Sequence, residues 1–331
     1  MFYKKTYQFV PYLHAAQLVG IVFLITNQIF ANMRSLFLNI PLIFCLLFCS
    51  ISIFSCKKRM PIIVNKSGDF QVIPILAKLP EPLQVEVLND KNEPIQCLPV
   101  TFFVKNGSGY FDGGVYEVKD TTDENGIASV QYYFGVENTD QQVIARIKRF
   151  DEDVTFTASP EYVTDNRDLE RYLLVQVGNT TWTAQNMRFS TTGSLENPNN
   201  PSSLYGRLYT WQTAQNVCPA GFHLPNDSLF TDLITTLGNE YNAIGYKLKS
   251  RTGWLNDKIG KNLSGFNLYP AGNYLSSIGN YRGLSEYGVF WTSDEADPNN
   301  GIYRILGWDS DDFYGANYLK STYSSCRCVR D

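Results

Sequence analysis

The feature that most restricts this chain is a series of short period-two segments separated by turn residues. Leu83-Gln84-Val85-Glu86-Val87-Leu88 alternates apolar and polar side chains until Asn89-Asp90-Lys91-Asn92 interrupts it. Val100-Thr101-Phe102-Phe103-Val104 is closed by Asn106-Gly107-Ser108-Gly109, and residues 127–133 follow Thr122-Asp123-Glu124-Asn125-Gly126. Residues 143–147 and 154–157 complete the series. Alternate side chains of a strand face opposite ways, so each segment can bury one face. Short strands at this spacing predict an antiparallel sandwich, and Asn125-Gly126 suits a turn that needs positive φ.

The second half reads differently. All five Trp (Trp182, Trp211, Trp254, Trp291, Trp308) lie there, so two modules with different cores are expected, and 331 residues is too many for one ordinary domain. Residues 175–182 read as a hairpin, and a short helix runs to Val217. A second helix is capped by Asn226, buries Leu229, Phe230, Leu233, Ile234 and Leu237, and stops at Gly238. A net charge of −4 gives no basic excess of the kind a nucleic-acid surface requires.

No acidic residue precedes Asp69. Residues 36–54 are almost wholly apolar, then come Ile53-Phe54-Ser55-Cys56 and Lys57-Lys58-Arg59. A basic head, an apolar core and a small residue before a cleavage point make a signal peptide. Cys after the small residue resembles the lipobox of bacterial lipoproteins, which implies cleavage before Cys56 and acylation of its thiol and new amino group. Two acyl chains anchor stably, each buried CH₂ adding about 0.8 kcal/mol. Met33-Arg34 is the expected functional start. The competing arrangement is a retained transmembrane helix with the basic run cytoplasmic.

Two further resemblances rest on motif order. Gly68-Asp69-Phe70-Gln71, Pro82-Leu83-Gln84-Val85, Pro99-Val100-Thr101-Phe102 and the segment from Thr122 to Ala128 resemble bacterial Ig-like repeats of invasin and intimin type, which serve mainly as rigid spacers. Leu204-Tyr205-Gly206-Arg207, Cys218-Pro219-Ala220-Gly221-Phe222-His223-Leu224-Pro225, Phe290-Trp291-Thr292-Ser293 and Arg327-Cys328-Val329-Arg330-Asp331 resemble the Fibrobacter succinogenes major paralogous domain of Bacteroidota and Fibrobacterota surface proteins. That resemblance implies an α+β fold like the C-type lectins and formylglycine-generating enzymes, and a disulfide between Cys218 and Cys328. The pairing of Cys97 and Cys326 stays open.

The expected organisation is multi-domain: a signal region over 1–56, a tether over 57–65, an all-β Ig-like sandwich over 66–159, a linker over 160–171, and a C-type-lectin-like module over 172–331. Aromatic side chains in the Gly-rich part of the last module (Trp291, Tyr281, Tyr287, Tyr314) are candidates for stacking on a sugar or filling a protein interface. Asp294, Glu295 and Asp297 in one loop, and Asp309 and Asp311 in another, offer the hard oxygen donors that suit Ca²⁺; no other cofactor is expected. Downstream of Cys56 the one histidine is His223, so a mechanism needing two imidazoles is excluded, and no complete catalytic constellation stands out. These features together predict an outer-membrane lipoprotein, facing the surface or the periplasm. Its spacer presents a head for adhesion to, or recognition of, a carbohydrate or protein. The alternatives are a structural envelope protein and a secreted carbohydrate-active enzyme.

Overall fold

The computed structural model describes residues 61–331, apart from 149, 151 and 239–243. Cys56 and the whole lipobox lie outside the described residues. Among the described residues no helix is long and apolar enough to cross a membrane.

The first module comprises β1 (Ile62–Ser67), β2 (Gln71–Ile73), β3 (Leu83–Leu88), β4 (Pro99–Asn106), β5 (Tyr110–Phe111), β6 (Glu117–Thr121), β7 (Ile127–Val130), β8 (Tyr132–Tyr133), β9 (Gln141–Ile147) and β10 (Glu152–Pro160). One sheet runs β1-β3-β7 and another β2-β10-β9-β4-β6. Both are antiparallel except where β2 runs alongside β10. The alternation of β3 does what its pattern requires: Leu83, Val85 and Val87 are buried and the residues between them half-buried. Val100 and Phe102 of β4 meet Phe156 of β10 in the same apolar cluster, with the two Phe rings 6.5 Å apart. Burying side chains of this size contributes roughly 1.5–3 kcal/mol each. At the Asn125-Gly126 turn, Gly126 has φ +73° and the Asp123 carboxylate accepts from the backbone N–H groups of Asn125 and Ile127.

Two details depart from expectation. Residues 127–133 are not one strand, because the chain breaks at Gln131, whose amide donates to the Leu79 carbonyl at 2.7 Å. β7 then stays with β3 while β8 pairs with β5. The sandwich also begins earlier than residue 66: β1 starts at Ile62, inside the expected tether, and pairs with β3. As an edge strand it buries mainly Ile63, which leaves little pattern to read.

The second module contains β11 (Tyr162–Thr164), β12 (Arg171–Val177), β13 (Thr180–Thr183), β14 (Ser194–Leu195), β15 (Leu208–Thr210), α1 (Trp211–Ala214), β16 (Phe222–His223), α2 (Asp227–Leu237) and α3 (Ile244–Leu248). It continues with β17 (Asn273–Leu275), β18 (Asn280–Arg282), β19 (Tyr287–Glu295), β20 (Asn300–Gly307), β21 (Phe313–Leu319), β22 (Tyr323–Ser324) and β23 (Val329–Arg330). The sheets are β11-β12-β13-β23-β16, β14-β15-β22-β17-β18 and β19-β20-β21. α2 has the caps its sequence prescribes: the Asn226 side chain accepts from Leu229 N–H, and Gly238 ends the helix at φ +93°. Trp182 sits between Phe230 and Phe266 with ring centroids 5.1 and 5.5 Å away. Apart from β12 and β19 to β21 the strands here have two to four residues, so tilted and edge-to-face aromatic packing, more than regular alternation, fills the interior.

Residues 160–171 are not a free linker. β11 pairs with β12, and Arg167 grips Asp165 in the turn between them while donating to the Val217 carbonyl at 2.6 Å. The backbone ladder also crosses from one module to the other. Ile75 N–H donates to Leu174 C=O and Gln176 N–H to Ile75 C=O, both at 2.9 Å. Glu161 N–H donates to Ile73 C=O at 2.8 Å. Ile75 is buried, and one apolar cluster runs from the sandwich into the second module. Gly265 lies against this seam at φ +67°, where a Cβ would come within 2.8 Å of Val175 and 2.9 Å of Ile75.

Candidate binding cleft at the module joint

Beside the seam lies a cleft of about 530 Å³ whose walls come from both modules. Its floor is the chain leaving β13 (Ala184, Gln185) and the loop over residues 262–267, and one rim is Glu137 with its neighbours from the sandwich. Arg251 and Tyr269 also line it. A concave site of this volume falls within the roughly 300–1,000 Å³ typical of small-ligand pockets.

The 262–267 loop is held in an unusual shape. Asn262 and Asn267 have φ of +49° and +53°, a region in which Asn is among the few side chains at ease. The Asn262 carbonyl oxygen of the side chain accepts from Asn267 N–H at 2.7 Å and closes the loop. Gln185 likewise uses its side-chain oxygen inside the protein, accepting from Leu173 N–H at 3.2 Å. Arg251 donates from Nε to Lys261 C=O at 3.1 Å. Across the cleft, Glu137 accepts from the Ser108 N–H and hydroxyl of the sandwich.

Behind the floor is Arg327, fully buried. It donates to Asn186 Oδ1 (2.8 Å), Thr183 C=O (2.8 Å), Phe266 C=O (2.7 Å) and Asn267 C=O (3.0 Å). Its plane also lies over the Phe266 ring at 4.5 Å. Those acceptors flank the residues that line the cleft, so one side chain ties the two segments of its floor together. Among the described residues no carboxylate pairs with it, and burial pulls its guanidinium down to about 9, which leaves it charged at neutral pH.

The residues proposed from the sequence lie elsewhere. Trp291 is a correction: it is fully buried, donating its indole N–H to Tyr209 C=O at 2.8 Å, and belongs to the framework. Tyr281 is half-buried against Tyr274 and donates its hydroxyl to Glu196 C=O at 2.9 Å. Tyr287 and Tyr314 are exposed, yet neither lines the cleft. The acids are not gathered either. Asp294 and Glu295 end β19 and Asp297 lies in the turn to β20, whereas Asp309 and Asp311 follow the far end of that eight-residue strand. Strand rise separates the two loops by about 23 Å. Asp294 accepts from Asp227 N–H at the start of α2, Glu295 pairs with Lys320, Asp297 closes its own turn on Asn299 and Asn300, and Asp311 lies 3.6 Å from the Lys249 ammonium. Among the described residues no three His, Cys, Asp or Glu side chains form a group able to hold a metal ion.

Cys218 and Cys328 form a disulfide, as the family resemblance implies, while Cys97 is free and exposed and Cys326 free and buried. His223 is half exposed and meets Asp331 at 2.5 Å. The cleft is lined mainly by amide, small and apolar side chains drawn from distant segments, with Glu137 and Tyr269 as its isolated acid and aromatic ring. The available signal was two Asn in one Gly/Ser-containing loop, a turn signal as much as a site signal.

Residues 175–330 match the family described as the Fibrobacter succinogenes major domain. No curated protein matches the chain. Among solved structures it is similar to the Yersinia pseudotuberculosis adhesin InvE at 12% identity and a TM-score of 0.33, covering 82% of this chain and 70% of that one. It is also similar to a C-terminal 282-residue fragment of intimin, solved with the intimin-binding domain of the translocated intimin receptor. There the identity is 14% and the TM-score 0.22, over 80% of this chain and 98% of that one.

Proposed function

We propose that this chain is a lipid-anchored cell-envelope protein in which an Ig-like spacer presents a C-type-lectin-like head that recognises a carbohydrate or protein ligand outside the cytoplasm. The observation that carries the reading is the cleft at the joint, a concave polar site built on a floor that Arg327 and the Asn262–Asn267 hydrogen bond hold in place. Rigid placement of a few polar groups is what a recognition site needs. Binding is favoured over hydrolysis because, among the described residues, Glu137 is the one carboxylate lining the cleft, whereas glycoside cleavage ordinarily uses a pair. The ladder through Ile75 supports the spacer role, since a head joined by backbone hydrogen bonds keeps its orientation.

Protease shaving of intact cells, with detection through a tag after Asp331 and a Cys56→Ala control, tests the address. Degradation of the intact lipoprotein is the expected result. Survival until the outer membrane is breached would place the head in the periplasm and favour a structural envelope role. The site itself is tested by screening the full chain in detergent against immobilised glycans and proteins, with Asn267→Ala for comparison. Ligands whose binding ignores that substitution would remove the cleft from the reading.

A further inference from the structure

The chemistry of the cleft narrows its ligand further, and this step rests on the reading of the cleft as a recognition site. Its polar side chains are unevenly committed. The side-chain oxygens of Asn262 and Gln185 are already taken by backbone N–H groups. Among the described residues no hydrogen bond engages Nδ2 of Asn262, Nε2 of Gln185 or the two Nη atoms of Arg251. The Tyr269 hydroxyl is likewise unengaged. What remains available on the wall around Arg251 is therefore mostly donors, namely amide N–H₂, guanidinium N–H and a phenol beside the Thr252 hydroxyl, while Asn138, Thr139 and Oε1 of Glu137 face it from the sandwich side. A neutral sugar hydroxyl gives and accepts with equal ease, so it gains nothing special from such a lining. A carboxylate, which only accepts, does.

Charge points the same way. Arg251 lines the cleft, and Arg327 stands directly behind the floor with only neutral oxygens around its guanidinium. The opposing negative charge, Glu137, is held on the sandwich side of the cleft by Ser108, which donates to its Oε2. A buried, unpaired cation costs stability, and its field reaches through low-dielectric protein to whatever sits on the other side of residues 184–185 and 265–267.

We propose that the joint cleft binds a carboxylate-bearing saccharide, a uronic- or sialic-acid-type unit, with its acid group on Arg251 and the Asn262 and Gln185 amides over the Arg327 floor. A saccharide is favoured over an acidic protein because the site is a concave pocket of small-ligand volume, whereas a protein partner needs a broad surface of ~800 Å² on each side.

The test uses the full chain in detergent and an immobilised panel of uronic- and sialic-acid oligosaccharides, each beside its carboxyl-reduced counterpart, with poly-glutamate as an acidic polypeptide. The expected result is binding of acidic saccharides at least about tenfold tighter than of their reduced forms, weakening as salt rises. Arg251→Gln should remove that preference without shifting the melting temperature, and Glu137→Gln should strengthen acidic binding. Equal binding of acidic and reduced saccharides, lost in Asn267→Ala, would overturn the carboxylate assignment and leave the recognition site standing. Binding of poly-glutamate alone would overturn the saccharide class. Failure of every saccharide and protein probe would overturn both this inference and the recognition reading beneath it.

Discussion

The two modules reach a stable interior by different routes. In the sandwich, neighbouring segments of alternating sequence pair into sheets, and burial follows the pattern residue by residue, as β3 shows. In the second module long-range links do that work. The disulfide joins residues 110 apart, and Arg327 bonds to carbonyls up to 144 residues away. Regular sheets can be stabilised by many equal contributions, whereas a loop-rich interior depends on a few large ones. Single changes should therefore do more harm in the second module than in the first.

The largest expected effect tests that claim directly. Cys218→Ala with Cys328→Ala opens a long loop, and the chain-entropy model gives about 4.7 kcal/mol for loops near 100 residues. Urea unfolding followed by Trp fluorescence reports the second module, since all five Trp lie there. The midpoint should fall sharply, while Cys97→Ala, at an exposed free thiol of the sandwich, should leave it in place. Arg327→Met comes next. It takes the donor from three buried oxygens and from the half-buried Asn267 carbonyl, and a loss of about 3–5 kcal/mol is expected, against about 1 kcal/mol for Phe102→Leu in the sandwich core. Similar losses from those two substitutions would erase the contrast between the modules.

The same contrast governs what could be read in advance. β3, the Asn125-Gly126 turn and α2 with both its caps follow from local sequence, because the forces that set them act within a few residues. β11 sits in a polar, charged segment, and only its pairing with β12 makes it a strand. Trp291 carries no local sign of whether it faces solvent or the Tyr209 carbonyl. The cleft was least legible, since Gln185, Arg251, Asn262 and Asn267 converge through tertiary structure and each alone looks like a turn or surface residue.

The seam can be attacked where the two interiors meet. Gly265→Ala would put a methyl group within 2.9 Å of both Val175 and Ile75 at a backbone φ that side chains avoid. Overpacking of this kind costs about 1–3 kcal/mol. The two transitions, the Trp signal of the second module and the strand signal in far-ultraviolet circular dichroism, are expected to coincide in the parent and, beyond a lower midpoint, to separate in the variant. Coincident transitions in the variant would mean that Ile75 and its ladder do not couple the modules.

The smallest expected effect sits at the entrance to the second module. Burial by itself would raise the Asp165 carboxyl, but the hydrogen bonds and charge of Arg167 outweigh it and hold the group below its ordinary value. A carboxyl lowered in the folded state contributes stability above its unfolded value, near 3.9, and loses that contribution as pH falls through the folded value. Asp165→Asn should therefore cost about 1 kcal/mol at pH 6, and the gap between parent and variant should narrow by pH 2.5. Urea midpoints at the two pH values give the double difference, in which the other carboxylates cancel. A gap unchanged on acidification would assign Asp165 a packing role. The turn over residues 165–170 would then be held by Arg167 stacked on Phe189 at 3.8 Å and bonded to the Val217 carbonyl, with no electrostatic share from the pair.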